Sequence, residues 1–187
     1  MPPLYFPGVI LISIFFIAMA KSQGAEVTRV HSEINGHSYV VQNLKDKKAA
    51  ANMLAELHLK INQLIALLLN SDGDNPAVKR LARNFQGKIS ERTPENIYTS
   101  YTVNKGEHVH MCIREKDNRL TDLNTIFFVA LHEMAHIMTR SNGHTPEFRT
   151  NFKFLLQRSI EYNLYKYERY QDNPKSYCGI QIKNNPL

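Results

Sequence analysis

The run Leu123–Met138, LNTIFFVALHEMAHIM, constrains this chain more than any other stretch. Leu123, Ile126, Phe127, Ala130, Leu131 and Met134 recur at helical spacing. Phe128, Val129, Ile137 and Met138 make most of the remaining circumference apolar too. A helix that is apolar nearly all round is buried. Yet this one carries His132, Glu133 and His136. Such groups are costly in a core without partners, and a metal ion supplies one. Two histidines four residues apart lie on one side of a helix, about a turn from each other, within reach of a single Zn²⁺. Glu133, beside His132, is placed to hold a water and take its proton. A chance match on an exposed polar helix would not have such apolar flanks.

A hydrolytic zinc site takes three protein ligands and keeps one position open. After His136, Asn142-Gly143 is a turn and helix-stop signal. Thr145-Pro146-Glu147 then starts a new helix, with a hydroxyl N-cap, proline at the first position and an acid in the first turn. His144 therefore lies on a tight connection between two helices, where a chain reversal can return it to the metal. Two alternatives stand: an ordinary loop histidine, or an acid on the following helix. Glu147 and Glu161 are the acids in range, both ranked below His144.

The stretch from about Tyr101 to Gly179 resembles the WLM-type zinc metallopeptidases, relatives of the SprT and Spartan proteases. In particular it looks like the short WLM-like proteins of large DNA viruses. Val109-His110-Met111-Cys112-Ile113-Arg114, Leu131-His132-Glu133-Met134-Ala135-His136 and Gly143-His144-Thr145-Pro146-Glu147-Phe148 carry the resemblance. It implies that His132, His136 and His144 bind Zn²⁺ and that Glu133 is the general base. It implies a protein or peptide substrate, with DNA-associated proteins as one candidate class. By the same analogy His108–Arg114 is the edge strand that pairs with an extended substrate, making His110, Cys112 and Arg114 candidate substrate contacts. A tail tyrosine, Tyr177 or Tyr170, is a candidate donor to the developing oxyanion. The opposing reading is a catalytically inactive, zinc-stabilised binding module tethered to a membrane. Glu133 argues against it, since a purely structural site needs no base.

The element order predicts an α+β, zincin-like domain: a small, mostly antiparallel sheet packed on the HExxH helix and further helices. Ile34-Asn35-Gly36-His37 marks a hairpin within Glu26–Gln42, with His31 and His37 on the surface. Met53, Leu57, Ile61, Leu64 and Leu68 predict a long amphipathic helix over Lys45–Asn70. Pro76–Phe85 reads as a short helix, and Ser90–Asn96 as polar loop. Asn104-Lys105-Gly106 is a second hairpin turn. Phe148, Phe152, Leu156 and Ile160 stripe a final helix from Thr145 to about Leu164.

At 187 residues and 43% apolar, the chain fits one domain plus a short extra segment. That division is 1–22, a hydrophobic anchor or signal, and 23–187, the catalytic domain. Residues 4–20 carry no charge, and Lys21 follows. A single-pass membrane anchor is the favoured expectation. A signal cleaved after Ala18-Met19-Ala20 is the alternative, giving a secreted or lumenal protein. The net charge of +6 leaves nucleic acid open as a partner. The cluster Lys79, Arg80, Arg83 and Lys88 reads first as a solvated helix face and second as a nucleic-acid contact. The two cysteines, Cys112 and Cys178, could pair but do not make a disulfide framework, and a buried thiol is the first expectation at Cys112.

Overall fold

The computed structural model describes residues 26–93 and 98–187. The chain runs β1 (Val27–His31), β2 (Ser38–Gln42), α1 (Lys47–Ser71), α2 (Pro76–Asn84), β3 (Ile89–Glu91), β4 (Tyr101–Val103), β5 (His108–Met111), α3 (Leu123–Met138), α4 (Pro146–Glu161), β6 (Lys175–Tyr177) and β7 (Ile180–Ile182). The fold is α+β, as expected. Leu54, Leu57, Ile61, Leu64 and Leu68 of α1 share one hydrophobic core with α2, α3, α4 and the sheet. Nearly the whole of α3 is buried in it. Each helix flanking the functional region has a cap written in its sequence. The Asp122 carboxylate accepts from the Thr125 amide at 2.9 Å, and Thr145 accepts from the Phe148 amide at 3.3 Å.

The strands depart from the sequence reading in two places. Ser90 belongs to β3 rather than to a polar loop, and β3 pairs in parallel with β5. Strand order in this sheet is β3-β5-β4. β5 is therefore the central strand, bonded on both sides, and not the expected substrate-facing edge. The edge next to β5 on its other side is β4, which pairs antiparallel with it through Tyr101↔His110, Thr102↔Val109 and Val103↔His108. β1 and β2 form a separate antiparallel pair, and β6 and β7 form another in the tail.

Cys112 is not a free thiol: it is buried, and it is disulfide-bonded to Cys178. Arg114 is buried against Glu91, with Nε donating to Oε1 at 2.8 Å, and its Nη1 donates to Asp46 at 2.7 Å. The Gln42 amide also donates to Glu91, at 2.8 Å. This network fastens the first hairpin to the sheet, and it accounts for an arginine in the core. The expected membrane localisation is corrected as well. Among the described residues no helix is long and apolar enough to cross a membrane, and residues 4–20, which carried that expectation, lie outside them.

Candidate metal centre

α3 presents His132 and His136 on one side. It ends at Thr139, whose amide and hydroxyl both bond the Ala135 carbonyl. The chain then reverses through Gly143, at φ +77°, before α4 begins. That reversal returns His144 to the helix. His144 Nε2 stands 3.0 Å from His132 Nε2, and His136 Nε2 stands 3.2 Å from the same atom. One nitrogen atom from each of the three rings lies within 4.8 Å of the other two. A single lone pair on His132 serves two neighbouring N–H groups poorly, whereas a central cation accepts a lone pair from every ring. Tetrahedral ligands about 2.0–2.1 Å from zinc lie roughly 3.3 Å from one another, so the donor set fits such an ion.

Phe148 supports all three imidazoles, with ring centroids 4.8, 4.3 and 4.7 Å from His132, His136 and His144. Its place four residues after His144 puts it on the inner face of α4, directly below the reversal. The His144 carbonyl is itself held by Arg149 Nη1 at 2.8 Å. Burial, with His136 and His144 nearby, pushes His132 down to about 3. Burial, with His144 and Lys105 nearby, pushes His136 down to about 4. Both rings are therefore neutral at pH 7, the form in which imidazole ligates a metal.

Glu133 is 6% exposed and opens onto the same cleft. Its Oε2 accepts from the Thr102 hydroxyl of β4 at 3.0 Å. Burial lifts its carboxyl to about 7, against the lowering effect of that hydrogen bond. The cleft has a volume of about 700 Å³. It is lined by Tyr98 to Thr102, by residues of α3, and by Tyr177, Ile180 and Ile182 of the tail. Lys105 sits at the tip of the β4–β5 turn, where Asn104 and Lys105 both take positive φ. Its ammonium donates to the carbonyls of His136, Thr139 and Ser141 at 3.3, 3.1 and 2.8 Å. A cation there satisfies the end of α3 and complements its dipole. The turn lies close against α2: a side chain at Gly106 would meet the Asn84 carbonyl at 2.6 Å.

The structure brings His132, Glu133, His136 and His144 together. It does not bring His110, Cys112 or Arg114 to the cleft. His110 is stacked between Tyr101 and His108 at 4.6 and 4.2 Å, on the sheet face opposite Thr102. Cys112 is occupied by its disulfide and Arg114 by its ion pairs. Tyr177 does line the cleft, but its hydroxyl donates to the Cys112 carbonyl at 2.7 Å and meets the Ser100 hydroxyl at 2.7 Å. Tyr170 packs behind α3 on Phe128. Glu147 accepts from the Arg140 amide, and Glu161 pairs with Arg158. The basic cluster is also dispersed. Lys79, Arg83 and Lys88 are exposed, while Arg80 turns inward to the Met138 carbonyl and to Glu147 at 3.7 Å.

Sequence reasoning did not single out Thr102 or Lys105. For Lys105 the signal was present: an Asn-Lys-Gly turn places its middle residue at an exposed tip, free to reach across.

The fold is shared with Wss1. The crystal structure of Wss1 from Saccharomyces cerevisiae superposes with a TM-score of 0.50 at 18% identity, covering 66% of this chain and 86% of that one. No protein-family profile matches the chain. Its sequence is 34% identical over 184 residues to protein R325 of Acanthamoeba polyphaga mimivirus, covering 95% of this chain and 92% of that protein. The chain belongs to the same family as this mimivirus protein. Protein 042R of Invertebrate iridescent virus 3 is 39% identical over 82 residues, 43% of this chain and 50% of its own. Protein 136R of Invertebrate iridescent virus 6 is 37% identical over 108 residues, 51% and 59%.

Proposed function

We propose that this protein is a zinc-dependent endopeptidase. The observation that carries the reading is the convergence of three imidazole nitrogens beside a buried carboxylate, in a cleft bounded by a sheet edge. His132, His136 and His144 would hold the ion. Zinc bound there supplies Lewis-acid chemistry, acidifying a water and polarising a carbonyl.

The chain's own groups do the rest. Glu133 takes the proton of the attacking water and delivers it to the leaving amine, and its carboxyl, lifted to about 7, is matched to proton transfer near neutrality. Thr102 fixes the orientation of that carboxylate. β4 has a strand partner on one side only among the described strands, so an extended substrate can add to its free edge through main-chain hydrogen bonds. Such pairing reads backbone rather than side chains, which suits a protein or peptide substrate of varied sequence. A binding module without turnover would have no use for a carboxylate held at a desolvation cost in the cleft. Glu133→Gln tests the reading. Peptide cleavage should fall by about 100-fold or more while bound metal is unchanged. Cleavage at the wild-type rate would overturn it.

A further inference from the structure

We infer that the Cys112–Cys178 disulfide is a redox clamp that holds the β6–β7 hairpin in place as one wall of the cleft, so that reducing it loosens substrate binding without touching the metal site. The inference rests on the peptidase reading only where it concerns substrate.

The hairpin is short, with three residues in each strand, and β6 and β7 pair with each other alone. Ile180 and Gln181 are exposed, so the apolar burial of the hairpin is concentrated on Tyr177, with Ile182 partly buried. Beside polar contacts from Ser176 to Glu115 at 2.7 Å and Lys175 to Glu168 at 3.2 Å, its buried attachments to the body gather around one point. Cys178 is bonded to Cys112, one residue beyond β5. The adjacent Tyr177 is buried, and its hydroxyl donates to the carbonyl of that same Cys112. Ser100 joins the pair, meeting the Tyr177 hydroxyl at 2.7 Å and accepting from the Cys112 amide at 2.9 Å. Tyr177, Ile180 and Ile182, on both strands, line the cleft. The bond joins positions 66 apart in sequence, closing a loop that contains α3 and α4, and a link between such distant points restricts the hairpin strongly.

The bond is also placed to be opened. Cys178 is half-buried while Cys112 is buried, so an attacking thiolate reaches the Cys178 sulfur. The S–S bond breaks, Cys112 leaves as thiolate, and the reductant is joined to Cys178. The reductant's second thiol then closes its own disulfide and frees Cys178. A dithiol thus supplies two electrons and two protons, and both cysteines end as thiols. Arg92 Nη2 lies 3.0 Å from the Cys178 sulfur and 3.8 Å from that of Cys112, where its charge stabilises the leaving thiolate.

The test compares the full chain before and after reduction with a dithiol, together with Cys178→Ser. Three readouts are taken: amide hydrogen exchange at 175–182, kcat and KM on an extended peptide, and bound metal. The expected result is exchange at least ~10-fold faster at Tyr177, Ile180 and Ile182. KM should rise by ~5-fold or more with metal content unchanged. Unchanged exchange in both the reduced chain and Cys178→Ser would overturn the clamp. So would a freed hairpin with unaltered KM in an active protein. A hairpin that loosens in a chain that cleaves nothing in either state supports the clamp and refutes the peptidase reading, so the two fail separately.

Discussion

The two sides of the cleft are held by different means. The helical side, α3 with the start of α4, is fixed by burial: Ile126, Phe127, Ala130, Leu131, Met134 and Ala135 are fully buried, and Phe148 lies under all three imidazoles. The tail side, β6–β7, is fixed at fewer points: the disulfide, the buried Tyr177 with its hydroxyl on Cys112, and polar contacts from Ser176 to Glu115 and Lys175 to Glu168. A ligand set must be held to a fraction of an ångström, and dense packing supplies that rigidity. On the proposed reading a wall that meets varied polypeptide tolerates looseness, and few attachments leave it adjustable. On the proposed peptidase reading, the contrast puts the chemistry in the helices and the control of access in the tail.

The most severe way to break the rigid side is Phe148→Ala. The phenyl ring is 3% exposed, and its loss should cost about 3–5 kcal/mol in unfolding free energy. It should also weaken metal binding by roughly 10-fold or more, because the imidazoles lose their common support. Denaturant melts and metal competition check both. Normal metal affinity in a folded variant would place the rigidity elsewhere.

Lys105→Met probes the same side more gently. Removing an ammonium that meets three carbonyls at the end of α3 should cost about 1–2 kcal/mol, seen as a lower melting temperature. An unchanged melting temperature would show that the helix end is satisfied without it.

Glu133 sharpens the comparison through pH. Its carboxyl is raised from 4.5 to about 7 by burial, so the folded chain holds this proton more tightly than the unfolded one. Its contribution to stability is present below about 4.5 and is lost as pH rises through 7. In metal-free protein, Glu133→Gln should therefore gain on wild type as pH goes from about 5 to 8, by roughly 1–2 kcal/mol. The histidines act in the opposite sense. His132 and His136 fall from 6.5 to about 3 and about 4, so the unfolded chain takes protons that the folded rings refuse, and stability declines as pH drops below 6.5. A stability difference between Glu133→Gln and wild type that is flat with pH would contradict the burial argument.

The smallest effect expected is that of Thr102→Val. Loss of the hydroxyl removes a hydrogen bond that lowers the Glu133 carboxyl. The acidic limb of the activity profile should then move up by about half a pH unit. A limb that stays in place would remove Thr102 from the account.

Much of the rigid side was legible in the sequence. The apolar run, the HExxH spacing, the Asn142-Gly143 turn and the Thr145-Pro146 start are local signals, and α3, the reversal and α4 follow them closely. The tail was not legible. Strands of three residues carry almost no alternation, so β3, β6 and β7 left no periodic trace. Pairing is a tertiary property as well. Val109 to Ile113 looks the same whether it lies at an edge or in the middle of a sheet, and the parallel partner β3 decided for the middle. The link between Cys112 and Cys178 required knowing that the tail folds back over β5, which no local pattern states. Thr102 acquires its role only because β4 passes over α3.

Bound metal is the most direct measure of the central claim. The full chain, loaded with zinc and freed of excess, should carry one zinc per molecule by mass spectrometry under native conditions. His136→Ala and His144→Ala should each lose it or hold it at least ~100-fold more weakly. Wild-type protein that is folded but binds no zinc would contradict the account, as would a His144→Ala variant that binds as tightly as wild type.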